Sequence, residues 1–163
     1  MKGERMMDSI QLKEITLDNL RAVCQLSDTL TTQQQQCVSS NAYSIAQAHY
    51  CKDRAWFRAI YLDDKPIGFV MVDMQLDEDK LTEDEKPSVM LWRFMIGRDF
   101  QGKGYGKKVL DMLVEKFRQK ANRYFFTSCR MGEGSPYHFY LNYGFIDTGL
   151  MQTDEKILSF KLF

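Results

Sequence analysis

The chain has 163 residues, 44% of them hydrophobic and 27% charged, with 22 Lys+Arg set against 22 Asp+Glu for a formal net charge of zero. That length suits one domain, 1–163, whose core buries roughly 70% of the unfolded surface, and the balanced composition places the chain as a whole among globular proteins and speaks against nucleic acid as a partner. Cys24, Cys37, Cys51 and Cys129 form no CxxC pair and have only His49 and His138 beside them, so no metal site is expected and the thiols read as those of a reduced, cytoplasmic protein.

The polar start MKGERM ahead of Met7 reads as a disordered or alternative start, and residues 1–7 are set aside from the core. No apolar run of about 18 residues and no charged-then-apolar leader follows, so a membrane partner is not expected. SIQLKEIT (9–16) alternates as an edge strand does, and Thr16 caps an amphipathic helix over LDNLRAVCQL. After the short polar run TTQQQQ (31–36), SSNAYSIAQAHYC carries a cap at Ser40 or Asn41 and helical apolar spacing at Ala42, Ile45, Ala46 and Tyr50. AWFRAIYL (55–62) and PIGFVMVDMQL (66–76) form a hairpin across DDK. The acidic stretch DEDKLTEDEKP then leads to SVMLWRFMI (88–96), apolar apart from Arg93, as a central strand covered on both faces would be.

A glycine-rich turn, RDFQGKGYGK, follows that strand and opens a helix with Val109, Leu110, Leu113, Val114 and Phe117 on one face. This order gathers unpaired backbone N–H groups and the positive end of a helix dipole around an anion. Each hydrogen bond to a charged acceptor contributes about 1.5–3 kcal/mol, enough in concert to hold a pyrophosphate. Neither GxxxxGK[ST] nor GxGxxG fits, since Lys107 stands where a third glycine belongs; Gln101-x-x-Gly104-x-Gly106 remains. RYFFTSC is a further buried strand. GSPYHFYLNYGF is a two-turn helix with Ser135 as cap, Pro136 at its first position and Gly144 just past its end. DTGLM and KILSFKLF close the chain as a strand pair. The order β-α-α-β-β-β-α-β-α-β-β gives a mixed α/β (α+β) sheet flanked by helices.

Q-x-x-G-x-G after a central strand resembles the acetyl-coenzyme A signature of the GNAT acetyltransferases. Tyr140, four residues before Gly144-Phe145, is similar to the tyrosine those enzymes use to protonate the departing coenzyme A sulfur. With NAYSIAQA, PIGFVM and WRFMIGRDFQGKGYGK, the likeness is nearest the bacterial spermine/spermidine N-acetyltransferase branch and spans the chain. It implies a mostly antiparallel sheet of about seven strands with about four helices and a splayed central strand pair. Acetyl-CoA is then the cosubstrate, a small-molecule amine the acceptor, and a homodimer the assembly.

By the same resemblance, Phe94, Met95 and Ile96 pair with the pantetheine arm. The turn Gln101, Gly102, Lys103, Gly104, Tyr105, Gly106, with Lys107 at its edge, takes the pyrophosphate; Ser135 joins this cofactor-binding set and Tyr140 is the catalytic acid. The chemistry fits, because a tyrosine with a reference pKa near 10 stays protonated at neutral pH while a thiolate of pKa about 8.5 accepts its proton.

The base is left open among Asp73, Asp28 and a water chain. Cys129 invites a covalent route but has no evident activating partner; Arg93 reads as an ion-pair partner, His138 as a surface residue, Trp56 and Trp92 as core. The acidic stretch is either a steering surface for a polycation or a solvated loop. The resemblance implies a glutamate, often present in related sequences between the first two helices, where this chain instead has TTQQQQ, a departure that bears on the polyamine assignment. Other readings that keep the fold are a different acceptor (aminoglycoside, amino acid or protein amine) or a noncatalytic coenzyme A sensor.

Overall fold

The computed structural model describes residues 9–163; the expectation for residues 1–7 lies outside them. In chain order the elements are β1 (Ile10–Lys13), α1 (Leu17–Leu26), α2 (Thr32–Cys37), α3 (Asn41–Tyr50), β2 (Ala55–Leu62), β3 (Lys65–Asp73), β4 (Ser88–Ile96), α4 (Tyr105–Gln119), β5 (Tyr124–Arg130), α5 (Tyr137–Tyr143), β6 (Ile146–Gln152) and β7 (Glu155–Lys161). They form one seven-stranded sheet in the order β1-β2-β3-β4-β5-β7-β6, antiparallel throughout except between β4 and β5. The mixed, mostly antiparallel sheet is the one expected.

Three elements depart from the expected boundaries. The last short helix, α5, starts at Tyr137 with Pro136 as its N-cap, one residue later than a Ser135 cap would give. TTQQQQ folds as the helix α2, because Thr31 Oγ1 accepts from the Gln34 amide at 3.2 Å while Gln34 Oε1 accepts from the Thr31 amide at 3.1 Å, a reciprocal cap written in the sequence as T-x-x-Q. β3 stops at Asp73, three residues short of Leu76. There Arg54 Nε donates to Asp73 Oδ1 at 3.0 Å and the Gln75 amide turns back to the same oxygen, so the side chain competes with the ladder.

Alternation along the central strands divides the core between the two faces of the sheet. Ile60, Val70, Val72 and Leu91 pack against Val109, Leu110, Leu113 and Phe117 of α4; Ala59, Phe69, Met71 and Met95 pack against Val23 of α1 and Ala48 of α3. β3 is therefore buried on both sides, which is why it reads as an unbroken apolar run. Each large side chain buried this way contributes about 1.5–3 kcal/mol relative to exposure.

The feature that positions the site is a parting of strands. β4 and β5 pair only from Ser88↔Tyr124 to Leu91↔Thr127, although β4 runs on to Ile96 and β5 to Arg130. A bulge at Trp92, where Met71 pairs with Arg93 but Val72 with Leu91, bends β4 as it leaves its neighbour.

Candidate functional site

The parted strands open a cavity of ≈ 770 Å³ that runs from the glycine turn past Tyr140 to the first residue of β7. On the open edge of β4 the carbonyls of Trp92 and Ile96 are taken by Arg93 Nη1 at 2.9 Å and Gln101 Nε2 at 2.8 Å. Phe94, of the same parity, turns its N–H and C=O to the opening. Met95 turns its own toward Phe69 on β3, since hydrogen-bonded and open pairs alternate along an antiparallel ladder.

At the end of β4 the turn brings Gly102 (φ 72°) and Gly104 (φ 84°) into the left-handed region, and a Cβ added at either would meet nothing within 4 Å. Their glycine identity serves the backbone path and leaves open space in front of it. Gly104 is the N-cap of α4 and supplies no side chain to satisfy the first-turn amides, Gly106 and Lys107 among them. A fifteen-residue helix thus presents its positive end to the cavity. Gly106 is tight for a different reason: a Cβ there would stand 3.2 Å from Phe139 Cζ, so α4, α5 and the Phe94 ring close one wall. These residues fit a diphosphate and a slender arm. Lys107 is bonded to Asp111 at 2.9 Å on the exposed side, and Lys103 stands over the Phe100 ring, outside the cavity lining.

Tyr140 lies on α5, 4% exposed, with its side chain against the cavity. Burial pushes its phenol well above the usual tyrosine value, and the Thr127 hydroxyl beside it pulls back part of that rise, so the group stays protonated at any neutral pH. Ser135 fixes the joint that aims α5: its hydroxyl donates to the Arg130 carbonyl and accepts from the Tyr137 amide at 3.2 Å. Cys129, 2% exposed, has its thiol pushed up chiefly by burial, which keeps it from being a nucleophilic thiolate.

The other face of the opening is built from residues far apart in sequence. Arg93, Ser128, Arg130 and Glu155 share the face covered by α1–α3, since each lies in the strand register opposite to that of Leu91, Thr127 and Cys129. Arg93 reaches Gln47 with Nη2 at 3.3 Å and keeps a buried Nε without a partner among the described residues. Burial lowers its pKa and the Glu155 charge opposes that. α2 roofs this face. Gln34 joins Gln101 at 2.9 Å, Arg130 Nη1 donates to the Gln36 carbonyl at 3.4 Å, and Gly134 (φ 80°) lies so close that a Cβ would stand 2.7 Å from the Gln33 carbonyl carbon.

Several sequence candidates lie elsewhere. Asp73 is 7% exposed and paired with Arg54 through both oxygens, and exposed Asp28 lies in a turn off the cavity. The acidic stretch joins the closed end of β4, the end away from the opening; its Asp77–Lys80 and Glu83–Lys86 pairs are local, and it lines none of the cavity. That placement favours the solvated-loop reading. His138 is exposed on α5, Trp56 packs on the α4 side, and Trp92 lines the cavity at the bulge. Glu155 escaped notice because its only sequence signal is an acid opening the last strand, which looks like an ordinary hairpin residue.

The sequence profile of the acetyltransferase (GNAT) family matches residues 15–145. A probable spermine N(1)-acetyltransferase of Bacillus subtilis subsp. natto (strain BEST195) is 30% identical over 111 residues, 66% of this chain and 67% of that protein. Among solved structures, the acetyltransferase of Salmonella typhimurium that modifies the N-terminal serine of ribosomal protein L7/L12 superposes with a TM-score of 0.72 at 14% identity, covering 94% of this chain and 95% of its own. The PaiA N-acetyltransferase of Thermoplasma acidophilum, in complex with coenzyme A, superposes at 0.65 with 16% identity, covering 94% and 99%.

Proposed function

The chain belongs to the acetyltransferase (GNAT) family, and from that premise we propose that it moves an acetyl group from acetyl-coenzyme A directly to a primary amine of a small polycation of the spermine and spermidine kind. The observation that carries this reading is the cavity that joins the uncapped start of α4 to Tyr140 through the gap between β4 and β5. The 30% identity to a spermine acetyltransferase supports the acceptor class.

When bound, the donor supplies a thioester carbonyl with a thiol as leaving group. The backbone from Gln101 to Gly106, with the Lys107 amide, receives its diphosphate at about 1.5–3 kcal/mol per charged hydrogen bond. The Phe94 C=O accepts from a pantetheine N–H, and its N–H polarises the acetyl carbonyl from the open edge of β4. Met95 and Ile96 shape the wall, and Ser135 holds the start of α5 so that the Tyr140 hydroxyl faces the departing sulfur. The burial that raises Tyr140 also raises a thiol held beside it, so a proton passes between groups shifted the same way.

A thiol-release assay with spermine, spermidine, an aminoglycoside, a free amino acid and a short peptide tests the proposal. The highest kcat/KM is expected with spermine or spermidine. Preference for another amine overturns the acceptor class, and coenzyme A binding without turnover of any amine overturns the enzymatic reading.

A further inference from the structure

We propose that Glu155, held by Ser128, receives the acceptor's ammonium group inside the cavity and takes up its proton. This rests on the acetyl-transfer reading above and adds the residue it lacks. At pH 7 an amine of pKa about 10.4 is roughly 0.04% neutral, so attack on a carbonyl needs a proton acceptor within reach.

Glu155 is the one carboxylate among the described residues that line the cavity, and no histidine lines it. Ser128 Oγ donates to Glu155 Oε2, which anchors one carboxylate oxygen at the wall of the cavity. The sheet places it on the side that the chemistry requires. Glu155 opposes Arg130 in the β5–β7 ladder and shares the α2 face with Ser128, whereas Thr127 and Tyr140 lie on the α4 face. Acid and base thus flank the opening from opposite sides, as direct transfer demands: the amine comes in past one and the sulfur leaves toward the other.

In the balanced step the nitrogen lone pair forms the N–C bond and the C–S bond breaks. The sulfur takes the Tyr140 proton, the ammonium proton ends on Glu155, and solvent restores both groups. The titratable and charged groups around Glu155 are Arg93 on β4, Arg130 on β5 and Cys37 on α2, with Cys129 on β5 and Tyr140 on α5 sensing its charge from the α4 side. Arg130 is bonded to Asp154 at 3.0 Å. Burial pushes Cys37, Cys129 and Tyr140 up, so none of them is an anion that competes for the ammonium. Lys156 and Asp147 pair with one another at 2.7 Å.

The test is steady-state kinetics of Glu155→Gln and Glu155→Asp with the best amine, between pH 7 and 9. For Glu155→Gln, kcat/KM for the amine should fall about a hundredfold at pH 7 and then climb roughly tenfold per pH unit, as the neutral amine fraction does. The unsubstituted chain should stay level over that range, the Asp variant should recover the level profile, and affinity for acetyl-coenzyme A should not change. A Gln variant that keeps full kcat/KM, or loses the same factor at every pH, overturns the role of Glu155 and leaves acetyl transfer standing. If the unsubstituted chain turns over no amine, the parent reading falls and this one with it.

Discussion

On the α4 face of the opening the chain offers backbone: the edge of β4 at Phe94 and the first turn of α4, set by Gly102 and Gly104. On the α2 face it offers side chains, with Arg93, Ser128 and Glu155 drawn from three strands and roofed by a helix from the first third of the sequence. The first arrangement suits a ligand that is the same in every turnover, since amide positions depend on the fold and tolerate most side chains. The second can change its specificity by single substitutions, because nothing but the side chains defines it. Loss of catalysis, of donor affinity and of acceptor affinity should therefore separate cleanly between the two faces.

The largest effect is expected from Tyr140→Phe. The ring keeps its edge contact with Phe145 (centroids 5.4 Å apart) and its place beside Phe139, so packing survives and only the hydroxyl is lost. Turnover should drop about 10²–10³-fold with the Michaelis constants for donor and amine nearly unchanged, the signature of a proton delivered in the transition state. An unaltered kcat would remove Tyr140 from the acid role. Next comes Gly104→Glu. A non-glycine residue at φ 84° costs about 1–2 kcal/mol, and its carboxylate would meet a like charge worth about 4 kcal/mol at 4 Å near a surface. Calorimetry should show coenzyme A affinity reduced at least a hundredfold while the thermal midpoint falls by only about 2–8 °C, as the backbone cost alone requires; retained affinity would place the diphosphate elsewhere.

The same contrast explains what could be read from the residues before the structure. The α4 face lies in two short segments, 94–107 and 135–145, where glycines at fixed spacing, a helix start and a tyrosine before Gly144-Phe145 keep their meaning as local pattern. The fold was legible for a related reason: continuous apolar strands and capped amphipathic helices fix each element separately, so α1 and α3 lie where Thr16 and Ser40 cap them. The α2 face has no such segment. Glu155 and Ser128 are 27 residues apart and meet only through the β5–β7 register, and Asp73, a candidate base by sequence, is occupied by Arg54. Local pattern cannot show which of several acids a partner has already claimed.

A milder change should act on the α2 face alone. Gly134→Ala adds a methyl group 2.7 Å from the Gln33 carbonyl carbon and 2.8 Å from the Gln34 nitrogen, at φ 80°, so the loop after β5 must push α2 away from the opening. Both contacts are backbone and cannot rotate aside. The Michaelis constant for the amine should rise about tenfold, equivalent to about 1.4 kcal/mol, while the donor's stays within twofold. An equal loss for both substrates would mean that α2 braces the donor turn through the Gln34–Gln101 bond as much as it roofs the acceptor.

The smallest effect tests how α5 is held behind Tyr140. Asp147 accepts from Lys156 at 2.7 Å, from the Gly149 amide at 2.9 Å and from the Tyr137 hydroxyl at 2.9 Å, tying α5 to the last hairpin. Lys156 first, then the Gly149 amide and Tyr137, hold its carboxyl down at about 2. Since the unfolded chain titrates this group near 3.9, its contribution to stability is complete above about pH 4 and is lost as pH falls through about 2. Asp147→Asn should therefore lower the thermal midpoint slightly at pH 7 and leave progressively less difference from the unsubstituted chain between pH 4 and pH 2. Added salt should narrow the gap at pH 7, because the Lys156 pairing is solvent-accessible. A gap that persists undiminished at pH 2 would mean that the hydrogen bond to Tyr137, and not the charge on Asp147, steadies the helix that carries Tyr140.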